Sequence, residues 1–555
     1  MTKTRTLVLA LCCCALPSLI AAPSIAALGV KNSASYSNPN FQNGAIAQGS
    51  LFVVFGSGLG PAQIQYATNF PLPATLSGTS ASVTVNGTTL PCVMIYTSDA
   101  QIAALLPSAT PLGTGTLSVT YNGSPSPTAP IKVTANSPGL FTRNQQGSGP
   151  AVVQDANAGY NSFTNPFRPG QTVTFWGTGF GPIAGDDATP PPSGNLPGTD
   201  VKALIGGQSA TVTYAGRSSF AGVDQINVTI PSGVTGCYVS VGFFVNGVPS
   251  NFTSISVASG SNTVCSDPNL FSSTEMQSIA SGNPMRLGTA RLSQVTASGT
   301  VLGLPLKVNY ETGESAYQKY DSTTFLNSLT ALSDLAVSPG SCAVFQYSTG
   351  GFSDPVPATG LDAGAAINAS NGTLANPMAK TTTGHYKATF ASPNPLGSST
   401  PVLLKPGSTL SLDDGTGGTD VGAFKFSMPQ PPAIVWSNKP APATISRAQD
   451  LKINWTGGDP ASFVYVLGQS PIDSTGDNGA EFVCVGRNVD GGLTIPAQVL
   501  SALPPSSMIT QFGFTIPGGV LSVNATTITR ATATGLDVFL AGASTGDAKA
   551  AFAFQ

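Results

Sequence analysis

The chain has 555 residues, 41% of them apolar, which is room for about three to five domains with cores of their own. Asp, Glu, Lys and Arg together supply only 8% of residues, against roughly 25% in ordinary globular chains, and the net charge is −3. With no Lys/Arg cluster beyond the first five residues, phosphate-tracking nucleic-acid binding and attachment to anionic membranes are excluded; the Val, Thr, Ile and Phe content, with 63 Gly and 45 Pro, excludes disorder and favours short strands and tight turns.

Residues 1–26 read as a signal peptide. Lys3 and Arg5 precede the apolar run Leu7 to Ile20, and Ala21-Ala22 or Ser24-Ile25-Ala26 offers small residues for cleavage near Ala22 or Ala26. An uncleaved anchor is the competing reading, but Pro17 interrupts the run and no stop-transfer charges follow. Cys12 to Cys14 suggest a lipoprotein, yet Leu11 stands before them where a small residue is wanted. No later stretch is expected to span a bilayer as a helix, so the sequence predicts a secreted, cell-surface or periplasmic protein.

A duplication follows. The segment from Gly49 to Pro61 (GSLFVVFGSGLGP) returns as Gly170 to Pro182 (GQTVTFWGTGFGP), with glycines at the same four places. Downstream, Leu72 to Thr75 matches Leu196 to Thr199, and Asn86-Gly87 matches Gly206-Gly207. Gln101-Ile102 through Pro107 matches Gln225-Ile226 through Pro231, and Asn122-Gly123 matches Asn246-Gly247. Five landmarks in one order define two copies of one module, 27–140 and 141–262. Runs such as Ser82 to Val85 and Thr172 to Phe175 alternate apolar with polar, the period of a strand with one buried face. Asn-Gly and Gly-Gly between such runs supply the positive φ angles of two-residue hairpin turns. Short strands at this spacing predict an all-β fold of tandem sandwiches.

The glycine-framed strand and turn resembles the opening of IPT/TIG-type immunoglobulin-like domains. With the LP-x-T landmark, the hairpins, the Gln-Ile strand and the linker Ser137 to Thr142, it is similar to an Ig-like repeat family of secreted acidobacterial proteins. The resemblance covers about residues 35–265. It implies an Ig-like fold and an extracellular address, and it transfers no catalytic residues.

Residues 263–432 read as a mixed, mostly β region. Ser272 to Ala280 predicts a short helix with Ser272 or Ser273 as N-cap and Glu275 in its first turn, and Ser322 to Ala336 a second. Strand-like runs return at Cys342 to Tyr347, His385 to Phe390 and Val421 to Phe426, and Met428 to Pro432 reads as a stiff linker. Residues 433–555 alternate again at Leu451 to Trp455, Phe463 to Val466 and Phe482 to Val485, a further sandwich whose last strand is expected at Ala550 to Phe554.

Beyond the signal peptide, Cys92, Cys237, Cys265, Cys342 and Cys484 remain. In an oxidising compartment these are bond candidates. Cys237 and Cys265 are closest in sequence and bracket one hairpin; Cys342 with Cys484 is the arithmetic remainder, leaving Cys92 free in its strand.

Candidate chemistry is sparse. The one histidine, His385, sits in a strand-like run, and no nucleophile elbow leads into a helix, so a hydrolase triad is not expected. No cofactor is expected. Calcium is the one metal with a candidate, Asp413, Asp414 and Asp420 in a Gly-rich loop, for which a solvated turn is the competing reading; Asp186-Asp187 is a lesser one. The loops Gly56 to Gly60 and Gly177 to Gly181 lack the following helix that phosphate binding requires. Of the tryptophans, Trp176, which matches Phe55 in the other copy, is expected in the core, while Trp436 is expected either exposed or wedged between modules. The expected function is non-enzymatic binding or adhesion to a polysaccharide or surface protein through inter-strand loops, with a structural spacer as the alternative and a secreted hydrolase as a distant third.

Overall fold

A computed structural model describes residues 22–267, 270–301, 304–328, 337–348, 358–391, 402–439, 444–511 and 514–555. Strands hold about 53% of residues and helices 5%, an all-β protein. No helix among the described residues is long and apolar enough to cross a membrane.

The first module contains β1 (Ser24–Asn32), β2 (Leu51–Ser57), β3 (Thr79–Val85), β4 (Thr88–Pro91), β5 (Val93–Thr97), β6 (Gln101–Leu105), β7 (Gly113–Tyr121) and β8 (Ala129–Thr134). One sheet runs β1-β2-β6-β5 and ends on the two-residue strand Gln65–Tyr66; the other contains β8-β7-β3, with β4 on β3. Alternation drives the packing: along β3, Val83 and Val85 are buried and Ser82 and Thr84 are not. Phe52, Val54, Val83, Leu117 and Ile102 meet between the sheets, where Cys92 is also fully buried and its thiol is pushed up to about 12. Cleavage near Ala22 would leave β1 whole, whereas cleavage at Ala26 would remove its pairs Ser24 with Ser57 and Ile25 with Gly56. The rest of the expected signal peptide, 1–21, lies outside the described residues.

The second module repeats this plan with β9 (Thr172–Thr178), β10 (Val201–Ile205), β11 (Gln208–Arg217), β12 (Asp224–Thr229), β13 (Gly236–Val245) and β14 (Thr253–Val257). Strand β11 bends at a bulge between Val212 and Tyr214, pairing with β10 before it and mainly with β12 after it. The four matched hairpin turns carry positive φ at both central residues, 49° and 79° at Asn86-Gly87 and 58° and 76° at Gly206-Gly207. Gly56 and Gly177 permit close approach: a Cβ there would meet the Ser24 and Gly139 carbonyl oxygens at 2.1 and 2.5 Å, where a neighbouring strand pairs. The turn that follows tucks Leu59 or Phe180 fully into the core.

The remaining chain contains α1 (Ser273–Ala280), β15 (Met285–Val301), β16 (Leu304–Tyr320), α2 (Ser322–Ser328), β17 (Cys342–Tyr347), β18 (Ala366–Ser370), β19 (Ala375–Thr382), β20 (His385–Ala391), β21 (Thr409–Asp413), β22 (Lys425–Pro429), β23 (Phe463–Pro471), β24 (Gly479–Arg487), β25 (Gly519–Ala531) and β26 (Val538–Phe554). Ser272 and Glu275 close a reciprocal capping box on α1. Residues 329–336 of the second expected helix lie outside the described residues.

These strands form one 14-stranded sheet whose main path is β17-β24-β23-β25-β26-β15-β16-β20-β19-β18-β21-β22. The sheet passes across residue 432, so 263–432 and 433–555 are not separated there. Met428 to Pro432 is correspondingly not a linker: Met428 and Gln430 are buried, and the Gln430 amide donates to the Ser544 carbonyl at 2.7 Å and the Thr545 hydroxyl at 3.0 Å. Trp436 and Trp455 are cross-strand partners inside the core around β23 to β25. Disulfides join Cys237 to Cys265 and Cys342 to Cys484, the latter pair directly opposite on β17 and β24.

Candidate functional site

The outward face of the first module's β1-β2-β6-β5 sheet is unusually aromatic. With Phe52 and Val54 inward, Leu51, Val53 and Phe55 point outward on β2. Register then sets three rows across the sheet. Leu51, Leu105 and Val93 form the first. Lys31, Val53, Ala103, Tyr96 and Tyr66 form the second, and Phe55 with Gln101 the third. A bulge between Met94 and Tyr96 turns Tyr96 to the outside, where its ring lies 5.8 Å from that of Tyr66.

The leucine row docks the second module. Leu51, Val93 and Leu105 pack on Ala221, with Leu72, Phe141 and Val223 alongside. A buried polar network locks the joint. Arg217, 3% exposed, pairs with the fully buried Asp224 and donates to the carbonyls of Gly49 at 2.5 Å and Gly181 at 2.8 Å, one on each module. Asp187 accepts from the Ser108 amide at 2.6 Å and hydroxyl at 2.8 Å. The Leu51 amide donates to the Thr178 hydroxyl at 2.9 Å. The third region docks on the other side, where Gln346 of β17 accepts from the Asn38 amide at 3.0 Å and donates to the Ser37 hydroxyl at 2.9 Å.

These contacts enclose a cleft of about 800 Å³ with three walls. Its floor is the aromatic face: Tyr36, Phe55, Tyr66, Tyr96, Gln101 and Lys31. The second module contributes the loop Asn144 to Ser148 with Asn251 and Phe252, and the third region contributes Phe345 and Gln346. Tyr36 is held at φ 50° and Gln145 at φ 58°, left-handed conformations that side-chain-bearing residues seldom adopt. The Tyr36 ring lies 6.3 Å from Phe55. The Asn144 Nδ2, buried from solvent, has no hydrogen-bond partner among the described residues.

Burial, with the Tyr36 and Tyr66 hydroxyls nearby, pushes the Tyr96 phenol up to about 12 against a hydrogen bond with Gln101 that lowers it. Burial also raises Tyr36 and holds the Lys31 ammonium below its ordinary value. Among the described residues, no carboxylate and no histidine lines the cleft. Its chemistry is flat apolar rings beside amide donors and acceptors, which can hold a ligand of rings and hydroxyls.

Most residues singled out from sequence lie elsewhere. The Asp413, Asp414 and Asp420 carboxylates each have separate protein partners: Asp413 pairs with Lys425 at 2.9 Å, Asp414 accepts the Phe424 amide at 2.7 Å, and Asp420 accepts the Asp362 amide at 2.8 Å. No group of three His, Cys, Asp or Glu among the described residues is placed to hold a metal ion. His385 lies on β20 with a ring nitrogen 3.2 Å from the Gln318 amide. Trp176 is not in the core. Val173 and Phe175 are buried and Trp176 between Phe175 and Gly177 is only partly buried, its indole donating to Gln154 at 2.9 Å. Its counterpart Phe55 also points outward, into the cleft. The signal was the alternation itself, which puts Trp176 on the side of Thr172 and Thr174; the loop residues Tyr36 and Asn144 had no such signal.

No family model matches the chain, and no curated protein does. Among solved structures it is similar to the γ-CGTase of Alkalophilic bacillus clarkii (14% identity, 41% of this chain and 24% of that one, TM-score 0.14). It is also similar to the Bacteroides ovatus mixed-linkage glucan utilization locus protein SGBP-B, solved with a mixed-linkage heptasaccharide (14% identity, 44% and 57%, TM-score 0.19). Domains 5–6 of the S-layer protein SbsC match at 12% identity over 42% of this chain and 98% of that one, with a TM-score of 0.15. The chain thus spans about a quarter of the first and just over half of the second, and no functional residue is carried across from any of them.

Proposed function

We propose that this is a non-enzymatic extracellular binding protein that holds a neutral polysaccharide in the three-walled cleft. The observation that carries the reading is the lining: five aromatic residues (Tyr36, Phe55, Tyr66, Tyr96 and Phe345) interleaved with Asn and Gln side chains, and no carboxylate among the described residues. Sugar rings present apolar C–H faces and a fringe of hydroxyls, which such a surface meets with ring stacking and two-way amide hydrogen bonds. The volume, about 800 Å³, suits several sugar units rather than one. Two disulfides fit an oxidising, extracellular compartment. Export by a signal peptide cleaved near Ala22 belongs to the same reading, because it leaves β1 whole. So does an IPT/TIG type for the duplicated modules, supported by their glycine-framed strand and turn.

The test is affinity electrophoresis of the mature chain in gels containing mixed-linkage β-glucan, galactomannan, amylose or dextran. At least one polymer is expected to retard the protein. Tyr66→Ala, at a side chain 60% exposed and therefore dispensable for folding, is expected to weaken retardation about tenfold. Wild-type migration unchanged in every polymer would overturn the reading.

A further inference from the structure

The cleft floor has a structural twin on the second module. Trp176 pairs with Gln225 across β9 and β12 as Phe55 pairs with Gln101 across β2 and β6. Next to them, Tyr214 opposes Asn227 just after a bulge, as Tyr96 opposes Ala103 just after a bulge. The aromatic, glutamine and tyrosine of the cleft therefore recur at equivalent register positions, carried by the same duplication that repeats the turns. The twin row also has five members: Tyr160, on an isolated bridge, and Gln154, Thr174, Asn227 and Tyr214 on four strands lie side by side, about 19 Å at ordinary strand spacing.

The two faces differ in one row, and that difference decides their exposure. Where the first module presents Leu51, Leu105 and Val93 to its neighbour, the second presents Thr172, Thr229 and Thr211, none of them buried. A row of leucines is a docking surface; a row of threonines is a solvated one. Tyr160 is 50% exposed with the Arg143 guanidinium 5.8 Å above its ring, and Trp176 is partly buried. The amides are ordered in advance: Asn227 Oδ1 accepts from Thr174 at 3.0 Å and Gln225 at 3.1 Å, and Gln154 accepts from Trp176.

We infer that this open face is a second binding surface for the same neutral polysaccharide, so that one chain is gripped in the cleft and again along the sheet of the second module. The occupant follows from the chemistry. Apart from Arg143 over Tyr160, the residues named on this face, Trp176, Gln225, Thr174, Asn227, Gln154 and Tyr214, carry no charge, and a surface about 19 Å wide suits an extended polymer rather than a short sugar. The inference rests on the cleft reading for the identity of the ligand, and two grips on one chain raise avidity without new contacts.

The test uses the full mature chain and the polymer that retards it most, with Trp176→Thr, which matches the threonines beside it, Trp176→Phe, which keeps a ring, and Tyr66→Ala in the cleft. Trp176→Thr is expected to cut polymer affinity about tenfold. Binding of the matching tetrasaccharide, measured by calorimetry, is expected to stay within about twofold, and Trp176→Phe to retain most polymer affinity. Unchanged polymer affinity in Trp176→Thr, with Tyr66→Ala impaired, would overturn the second surface and leave the cleft standing. The converse, loss in Trp176→Thr and none in Tyr66→Ala, would support the open face and overturn the cleft. Unaltered far-ultraviolet dichroism and melting of each variant keep these outcomes free of misfolding.

Discussion

At the scale of single residues, Arg217 is the most consequential side chain that touches no candidate ligand surface. Its guanidinium is buried, meets Asp224 and caps carbonyls of both modules, so it fixes the angle that opens the cleft. A buried pair contributes little net stability, but removing one member strands the other charge. Arg217→Met is expected to destabilise the chain by about 3–5 kcal/mol in urea denaturation, and Arg217→Met with Asp224→Leu by markedly less. A single variant as costly as the double, or less so, would contradict the assignment. Residue-level legibility was uneven for a physical reason. Alternation along Thr172 to Phe175 announces which way each side chain faces, and Trp176 follows from it once the count is kept. Arg217 and Asp224 lie 7 residues apart and become partners because β11 and β12 place them opposite each other, a pairing that periodicity does not encode.

At the scale of elements, turns and caps were the most readable features because their causes are local. Asn-Gly between alternating runs needs positive φ at both positions, and Ser272 with Glu275 satisfies two helix donors reciprocally. Strand lengths were less readable. The last strand covers Val538–Phe554 rather than Ala550 to Phe554, although Ala541, Gly542, Ala543 and Gly546 have little strand preference. They are held extended because β15 and β25 pair with them from both sides. Near 421–426 the strand starts only at Lys425, since the Asp414 carboxylate binds the Phe424 amide and keeps the preceding residues in a turn. The bond between Cys342 and Cys484 joins the edge strand β17 to the sheet and spans 142 residues. Replacing both cysteines with serine is expected to lower stability by about 2–5 kcal/mol, measured by denaturation under non-reducing conditions. Equal stability would mean that β17 is held by its hydrogen bonds and packing alone.

At the scale of the molecule, low charge and many strands made the fold class plain, while the merger of the last two regions into one sheet stayed hidden. The Pro-rich stretch Met428 to Pro432 has the composition of a linker, but composition does not say whether a neighbour covers it, and here β26 does. The assembly depends on apolar packing and short-range polar contacts rather than on long-range charge. Raising NaCl from about 0.05 to about 0.5 M is therefore expected to move the melting midpoint by no more than about 2 °C. A larger fall would point to surface ion pairs such as Lys387 with Glu314 as real supports.

Strand β26 lies between β15 and β25, and its two halves serve different cores: Phe539 and Ala541 pack with Tyr317 and Leu361, Phe552 and Phe554 with Trp455 and Phe482. Both cores are thus incomplete until this one strand is in place. Its partner β15 lies some 250 residues upstream, so that pairing must wait until the chain between them has been synthesised. The two duplicated modules need no such delay, since their pairings close within themselves. Until then the second half would remain an open sheet with unpaired edges, the state most exposed to proteases and to its own copies.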